Sequence, residues 1–224
     1  MPARGLQLFY GGTFDPVHNG HVAIAHAARD ELDCLVHLMP AADPPHRAAP
    51  GANAAQRAHM LDLAVEGQHG LRVDRRELVR EGRSYTIDTL RELRLELGPD
   101  CPIALLIGAD SFIGLPSWRE WTVLFDFAHF VVAPRPGSPL DGELPRDLAA
   151  RTQGRWSSSP AILQQVAAGR LFLLGQPLQP ESASDVRRRI ANHEAWQELV
   201  PPPVAAFIIA SGLYSGRACG PSPL

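Results

Sequence analysis

Gly11-Gly12-Thr13-Phe14-Asp15-Pro16-Val17-His18-Asn19-Gly20-His21 decides how the rest of the chain is read. Before it lies a short apolar run, Leu6-Gln7-Leu8-Phe9-Tyr10, suited to a buried strand. Behind it Val22, Ala25, Arg29 and Leu32 recur at helical spacing. The order is strand, glycine turn, helix. Two glycines let backbone N–H groups come close to an anion, and a helix beginning near Asn19 points its positive end at the same place. His18 and His21, three residues apart, share a face of the first turn. Amide donors, a helix terminus and two imidazoles around one point make a phosphate site, and one where a phosphate reacts.

Other readings of the stretch are weaker. GxxxxGK[ST] and GxGxxG are both missing, so neither a P-loop nor a dinucleotide fingerprint is present. A zinc site would need ligands beyond the histidine pair, and no matching Cys/His spacing stands out. Glycine turns are common and a lone histidine is usually structural; the two together, directly after a strand, favour chemistry.

The stretch resembles the signature of nucleotidyltransferases that carry a (H/T)xGH motif, here His18-Asn19-Gly20-His21. Those enzymes move adenylyl or cytidylyl groups from a nucleoside triphosphate onto a phosphate. Near the other end of the chain, Ser182-Ala183-Ser184-Asp185-Val186-Arg187 is similar to their ISxTxxR element. Ser182 matches the serine and Arg187 the arginine. Ser184 stands for the threonine and keeps a hydroxyl, while Glu181 replaces the usual apolar residue. As residues, serine hydroxyls and free amides at a helix start, with Arg187 on the same face as Ser184, make a second anion site. Arg188 and Arg189 are expected to face solvent.

Composition bounds the class. The 224 residues suffice for a single α/β domain with a full core. At 45% hydrophobic and 20% charged, with net charge −3, the chain has the make-up of a soluble globular protein and no general attraction for nucleic acid. Cys34, Cys101 and Cys219 are too few and too scattered for a disulfide framework or a zinc cluster. No leader pattern and no membrane-length apolar run stands out, so a cytoplasmic enzyme without membrane or nucleic-acid partners is expected.

Between the two motifs the chain reads as an α/β alternation. Cys34–Met39 is a second strand, parallel to the first, and the loop from Pro40 to Ala52 leaves its carboxyl end. Asn53 is a candidate N-cap for a helix with Leu61, Ala64 and Val65 inward; Gln56, Arg57 and Met60 are read as mainly structural. Leu71–Asp74 is a strand near an edge. Ser84 or Thr86 would cap the helix bearing Ile87, Leu90, Leu93 and Leu97. Ile103–Ile107 is a central strand ending in Gly108-Ala109-Asp110-Ser111, and Phe130–Val132 is another buried one. Residues 138 to 170 read as a variable surface excursion, Leu171–Leu174 as a return to the sheet, Val204–Tyr214 as a terminal helix with its cap, and 215–224 as a tail. The expected fold is a Rossmann-like open parallel sheet with helices on both faces, one domain over 1–214.

Several of these segments are similar to bacterial nicotinate mononucleotide adenylyltransferases. The resemblance rests on Pro44-Pro45-His46-Arg47, Ser84-Tyr85-Thr86, Ile107-Gly108-Ala109-Asp110-Ser111 and Trp118, and runs from about Leu8 to Tyr214. It implies transfer of AMP from ATP to nicotinate mononucleotide, giving deamido-NAD and pyrophosphate. It also implies that Arg47, Ser84, Tyr85, Thr86, Asp110 and Trp118 meet the mononucleotide. Ser84–Thr86 would meet its carboxylate, Trp118 its ring, and Asp110 the ribose hydroxyls. Gly11, Gly12, Thr13, Phe14, Arg135, Ser182 and Ser184 would bind ATP, with His18, His21 and Arg187 at the reacting phosphate. Mg²⁺ is expected with ATP, on phosphate and water, since no carboxylate cluster offers a protein cage. Trp121 is expected in the core. The rivals are a sibling enzyme for nicotinamide mononucleotide or phosphopantetheine, and a non-catalytic nucleotide sensor.

Overall fold

The protein is described from a computed structural model, over residues 5–42, 51–80, 82, 84–134, 140, 144–177 and 181–215. Seven parallel strands form one open sheet: β1 (Gln7–Gly12), β2 (Leu35–Pro40), β3 (Leu71–Val73), β4 (Ile103–Gly108), β5 (His129–Ala133), β6 (Trp156–Ser157) and β7 (Leu171–Leu173). Their order is β3-β2-β1-β4-β5-β7-β6. The helices among the described residues are α1 (Asn19–Leu32), α2 (Ala54–Val65), α3 (Arg76–Val79), α4 (Thr86–Leu97), α5 (Ala109–Ile113), α6 (Trp121–Phe127), α7 (Arg146–Thr152), α8 (Ile162–Gln165), α9 (Ala183–Ala191) and α10 (Pro202–Ser211).

Alternation along each strand explains the layering. Leu8 and Tyr10 of β1, Val36 and Leu38 of β2, and Ala104 and Leu106 of β4 face α1, α2, α9 and α10. Phe9, Met39, Leu105 and Ile107 face α4, α5 and α6 on the other side. Strands covered on both faces must be apolar throughout, so Ile103–Ile107 reads as a continuous run.

The strand order turns back between β1 and β4. From β1 the chain first builds outward to β3, then restarts at β4 and builds the other way. Such a reversal opens a crevice at the strands' carboxyl ends, where α/β sheets bind ligands. Gly11 and Gly12 end β1 at that crevice and Gly108 ends β4 there.

Most expected elements are present within a residue or two. β3 is an edge strand, as expected, and β4 is the middle one. Asn53 caps α2 reciprocally: its side chain accepts from the Gln56 N–H at 2.9 Å, and its own N–H donates to Gln56 Oε1 at 2.9 Å. Gly212 closes α10 in the left-handed conformation. The 138–170 stretch is more than a surface excursion, since Trp156–Ser157 pairs with β7 as the outermost strand. Trp121, expected in the core, opens α6 and is only partly buried.

Candidate active site

The quoted stretch begins as β1 runs out. Phe14 takes a left-handed backbone (φ 50°) and turns its ring into the core, edge-on to Tyr10 and to His21. A Cβ on Gly12 would stand 2.9–3.2 Å from that ring, whereas one on Gly11 meets nothing closer than Met39 at 4.0 Å. Gly12 is therefore demanded by packing and Gly11 is not. Phe14, expected at ATP, is 2% exposed, which leaves only its backbone for a ligand.

His18 occupies the N-cap position of α1 and His21 stands in its first turn. The rings stack with centroids 3.7 Å apart, and the His18 N–H donates to His21 Nδ1 at 3.3 Å. Burial holds the His18 imidazole down at about 4, so it is neutral near pH 7. Its Nδ1 is buried without a hydrogen-bond partner among the described residues. Asn19 is spent on structure, donating to the Glu198 carbonyl at 2.8 Å.

The second motif meets the first at Asp15. Ser182 caps α9, its Oγ accepting from the Asp185 N–H at 3.1 Å. One turn on, Arg187 Nη1 donates to the Asp15 carbonyl at 2.5 Å, lies 3.6 Å from the Asp15 carboxylate, and has Ser184 Oγ 3.5 Å from Nη2. The Asp15 carboxylate, 5% exposed, also accepts from the Gly51 and Ala52 N–H groups at 2.8 and 3.0 Å and from the Tyr214 hydroxyl at 2.7 Å. Arg57, buried beneath, donates to the Thr13 carbonyl at 2.7 Å and the Ala42 carbonyl at 2.9 Å. Motifs 172 residues apart are thus joined through one buried acid. Arg188 and Arg189 turn outward to Asp185, as expected.

Beside this junction a cavity of about 190 Å³ opens on the α4 face. It runs from Gly11–Thr13 past Ser84, Tyr85 and Thr86 to Trp118 and Arg119, with Leu105 and Ile107 on the sheet side and Glu77 in its wall. The helix cap expected from Ser84 or Thr86 does not form. Tyr85 holds the N-cap position with no side-chain bond, and the Ser84 hydroxyl is engaged elsewhere, accepting from the Ala42 N–H at 3.4 Å. In the cavity wall, Glu77 accepts from Thr89 Oγ1 at 2.8 Å, and burial pushes its carboxyl above the usual carboxylate range. Asp110 sits exposed in the first turn of α5; the cavity is lined by its neighbours Gly108 and Ser111 instead. Arg47, with the Pro44–Arg47 loop, and Arg135 lie outside the described residues.

A family profile described as Cytidylyltransferase-like matches residues 9–189. The chain is 55% identical over 214 residues to a probable nicotinate-nucleotide adenylyltransferase of Stenotrophomonas maltophilia, covering 93% of this chain and 96% of the relative. It belongs to that family. As a nicotinate-nucleotide adenylyltransferase it uses ATP and makes deamido-NAD. A probable nicotinate-nucleotide adenylyltransferase of Xylella fastidiosa is 47% identical over 218 residues, covering 96% of this chain and 97% of the relative. The fold is also that of the Plasmodium falciparum nicotinic acid mononucleotide adenylyltransferase complexed with NaAD (TM-score 0.70, 15% identity, 96% of this chain and 99% of the other).

Sequence reasoning missed Asp15, Tyr214, Glu77 and Arg119. Asp15 sits inside the quoted stretch, but an acid beside a phosphate site gives no sign that its partners come from Gly51 and Tyr214. Glu77 and Arg119 look like ordinary surface charges in the sequence. Among the described residues no group of three or more His, Cys, Asp or Glu side chains could hold a metal ion, and no helix is long and apolar enough to cross a membrane.

Proposed function

We propose that this nicotinate-nucleotide adenylyltransferase binds the mononucleotide in the cavity under Trp118, and the triphosphate of ATP between the starts of α1 and α9. The observation that carries the reading is the junction at Asp15. It sets Arg187 against the turn that holds the paired histidines, at one end of a cavity whose other end offers Ser84–Thr86 and Trp118.

The mononucleotide's own phosphate is the nucleophile, so no side-chain nucleophile is needed. One of its oxygens attacks the α-phosphorus of ATP, the bond to the bridging oxygen breaks, and pyrophosphate leaves in line. Charge develops on the equatorial oxygens and the leaving group, and catalysis consists of positioning and electrostatic stabilisation. His18 and His21 donate to the reacting phosphate; a neutral His18 binds by its N–H without a charge of its own. The amides of Gly11–Thr13 cradle phosphate, the Phe14 backbone continues that turn, and Ser182, Ser184 and Arg187 hold the β and γ end. Ser84, Tyr85 and Thr86 meet the pyridine carboxylate and Trp118 stacks on the ring. Asp110 takes the ribose, Arg47 the acceptor phosphate, and Arg135 the ATP side. Mg²⁺ suits this donor set only as an ion carried on phosphate oxygens and water. The Asp15 oxygens are already engaged by two amides and a phenol. Bound there, it would neutralise the triphosphate.

The whole of 1–214 serves as one catalytic unit with small-molecule partners and no nucleic acid. A cytoplasmic setting agrees with Cys34 and Cys101 as free thiols. His18→Ala and His21→Ala are each expected to lower kcat roughly 10²–10³-fold, the cost of one preorganised donor. Pyrophosphate release from ATP plus nicotinate mononucleotide measures it. Normal turnover in both variants would remove the histidines from the mechanism.

A further inference from the structure

Arg57 of α2, expected to be mainly structural, is the largest fully buried side chain among the described residues, at 1% exposed. Carbonyls alone satisfy its fork: Nε donates to Ala52 at 3.3 Å, Nη1 to Thr13 at 2.7 Å and Nη2 to Ala42 at 2.9 Å. Among the described residues it makes no ion pair. Asp15 is near enough to act on its charge, but that acid also faces Arg187 at 3.6 Å. One carboxylate thus stands against two guanidiniums. A buried cation without a counter-ion of its own is costly, and an apolar chain of similar length would fill the space at less cost. Here the charge is kept directly behind the turn that follows β1.

Of the three carbonyls, that of Thr13 bears on the chemistry. A trans peptide points its C=O and its N–H in opposite directions. Holding the Thr13 oxygen on Arg57 therefore aims the Phe14 N–H away from α2, and no described residue accepts from that N–H. One peptide earlier, the Gly12 carbonyl accepts from the Ala41 N–H at 2.9 Å, which turns the Thr13 N–H away from β2. We infer that Arg57 is a positioning residue for adenylyl transfer: its guanidinium fixes the Thr13 carbonyl so that the Phe14 amide faces the triphosphate, and its uncompensated charge lies behind that amide. The inference rests on the reading that the triphosphate lies between the starts of α1 and α9. Charge and aim are separable contributions. Lysine keeps the charge but cannot spread one nitrogen over three carbonyls, and methionine keeps only the bulk.

The test uses the full chain, with inorganic pyrophosphate as the binding probe and ATP plus nicotinate mononucleotide for turnover. Binding is measured by calorimetry on protein that circular dichroism shows to be folded. Arg57→Met is expected to weaken pyrophosphate binding, raise the KM for ATP and lower kcat, each about tenfold, as loss of charge-assisted and preorganised contacts implies, while the mononucleotide KM holds. Arg57→Lys is expected to restore pyrophosphate affinity and leave kcat low. A folded Arg57→Met chain with wild-type pyrophosphate affinity and ATP KM, however unstable, makes Arg57 a structural clamp and overturns the inference; so does an equal rise in both KM values. A measurement on the wild type needs no variant: pyrophosphate is expected to shift the Phe14 amide resonance together with the His21 ring. A shift of His21 with Phe14 unmoved overturns the role of Arg57 and leaves the triphosphate reading standing. If neither moves at saturating pyrophosphate, both fall.

Discussion

Gly12 and Gly11 are neighbours with opposite tolerances. A methyl on Gly12 would push into the ring of Phe14, which is locked between Tyr10 and His21 and cannot yield without disturbing the histidine. Gly12→Ala is expected to cost about 1–3 kcal/mol, the range for overpacking a filled site. Gly11→Ala is expected to leave stability within roughly 0.5 kcal/mol, as at other unconstrained surface sites. Urea denaturation of both variants distinguishes them; equal losses would mean that turn geometry rather than the Phe14 ring sets the requirement. If Gly11→Ala folds normally but turns over poorly, close approach of the backbone to phosphate is what Gly11 supplies.

Asp15 ties together pieces that share no local sequence: the β1–α1 turn, the approach to α2, the second turn of α9 and the turn after α10. An isolated buried carboxylate would be costly, and here two amides, a phenol and a guanidinium offset that cost. The Tyr214 ring packs close enough to Gly51 that a Cβ there would stand 2.9 Å away, so ring and hydroxyl act separately. Tyr214→Phe keeps the ring and deletes the bond. It is expected to lower stability by about 1–2 kcal/mol, as for a buried bond to a charged group, and to lower kcat several-fold through a less firmly held Arg187, with the mononucleotide KM unchanged. Denaturation and steady-state kinetics read the two effects; a variant with wild-type stability and kcat would show that the turn after α10 merely abuts the site. A similar knot holds the far end of the sheet, where Arg94 of α4 donates to the carbonyls of Phe127, Cys101 and Ala167.

Across the molecule, histidines buried without charge link folding to pH. His18 is held at about 4 by burial. His129 is held at about 4 as well, accepting from the Arg170 N–H at its Nδ1 while Nε2 faces the Val166 carbonyl at 2.9 Å. Burial also lowers His37, packed against Phe9. Their folded values lie below the unfolded one, so the unfolded chain binds more protons between about 6.5 and about 4. Stability is complete above 6.5 and is lost as pH falls through that window, by up to roughly 3 kcal/mol for each of His18 and His129. Denaturant unfolding of the ligand-free protein across this range should show uptake of more than one proton. A flat profile would mean that these imidazoles find water or a charge partner as the protein opens slightly.

All the strands but β6, the main helices and the starts of α1 and α9 were legible in the sequence, because each depends on neighbours within one turn or one pleat. Ile103–Ile107 announces burial on both faces by its composition, and Asn53 with Gln56 announces a cap by its spacing. The Ser84 cap failed for the opposite reason: its hydroxyl accepts from the Ala42 N–H, distant in the chain, which no local rule weighs. Arg119 and Arg91 are alike as letters, and only the folded distances show that Arg91 bonds Glu120 at 2.6 Å while Arg119 comes no closer to it than 3.8 Å. Local periodicity and the two motifs determined the class of fold and the kind of chemistry. The reversal of strand order, the joining of α9 to β1 at Asp15 and the wall of the cavity beside Trp118 were decided only in three dimensions, since they depend on contacts between residues far apart in the chain.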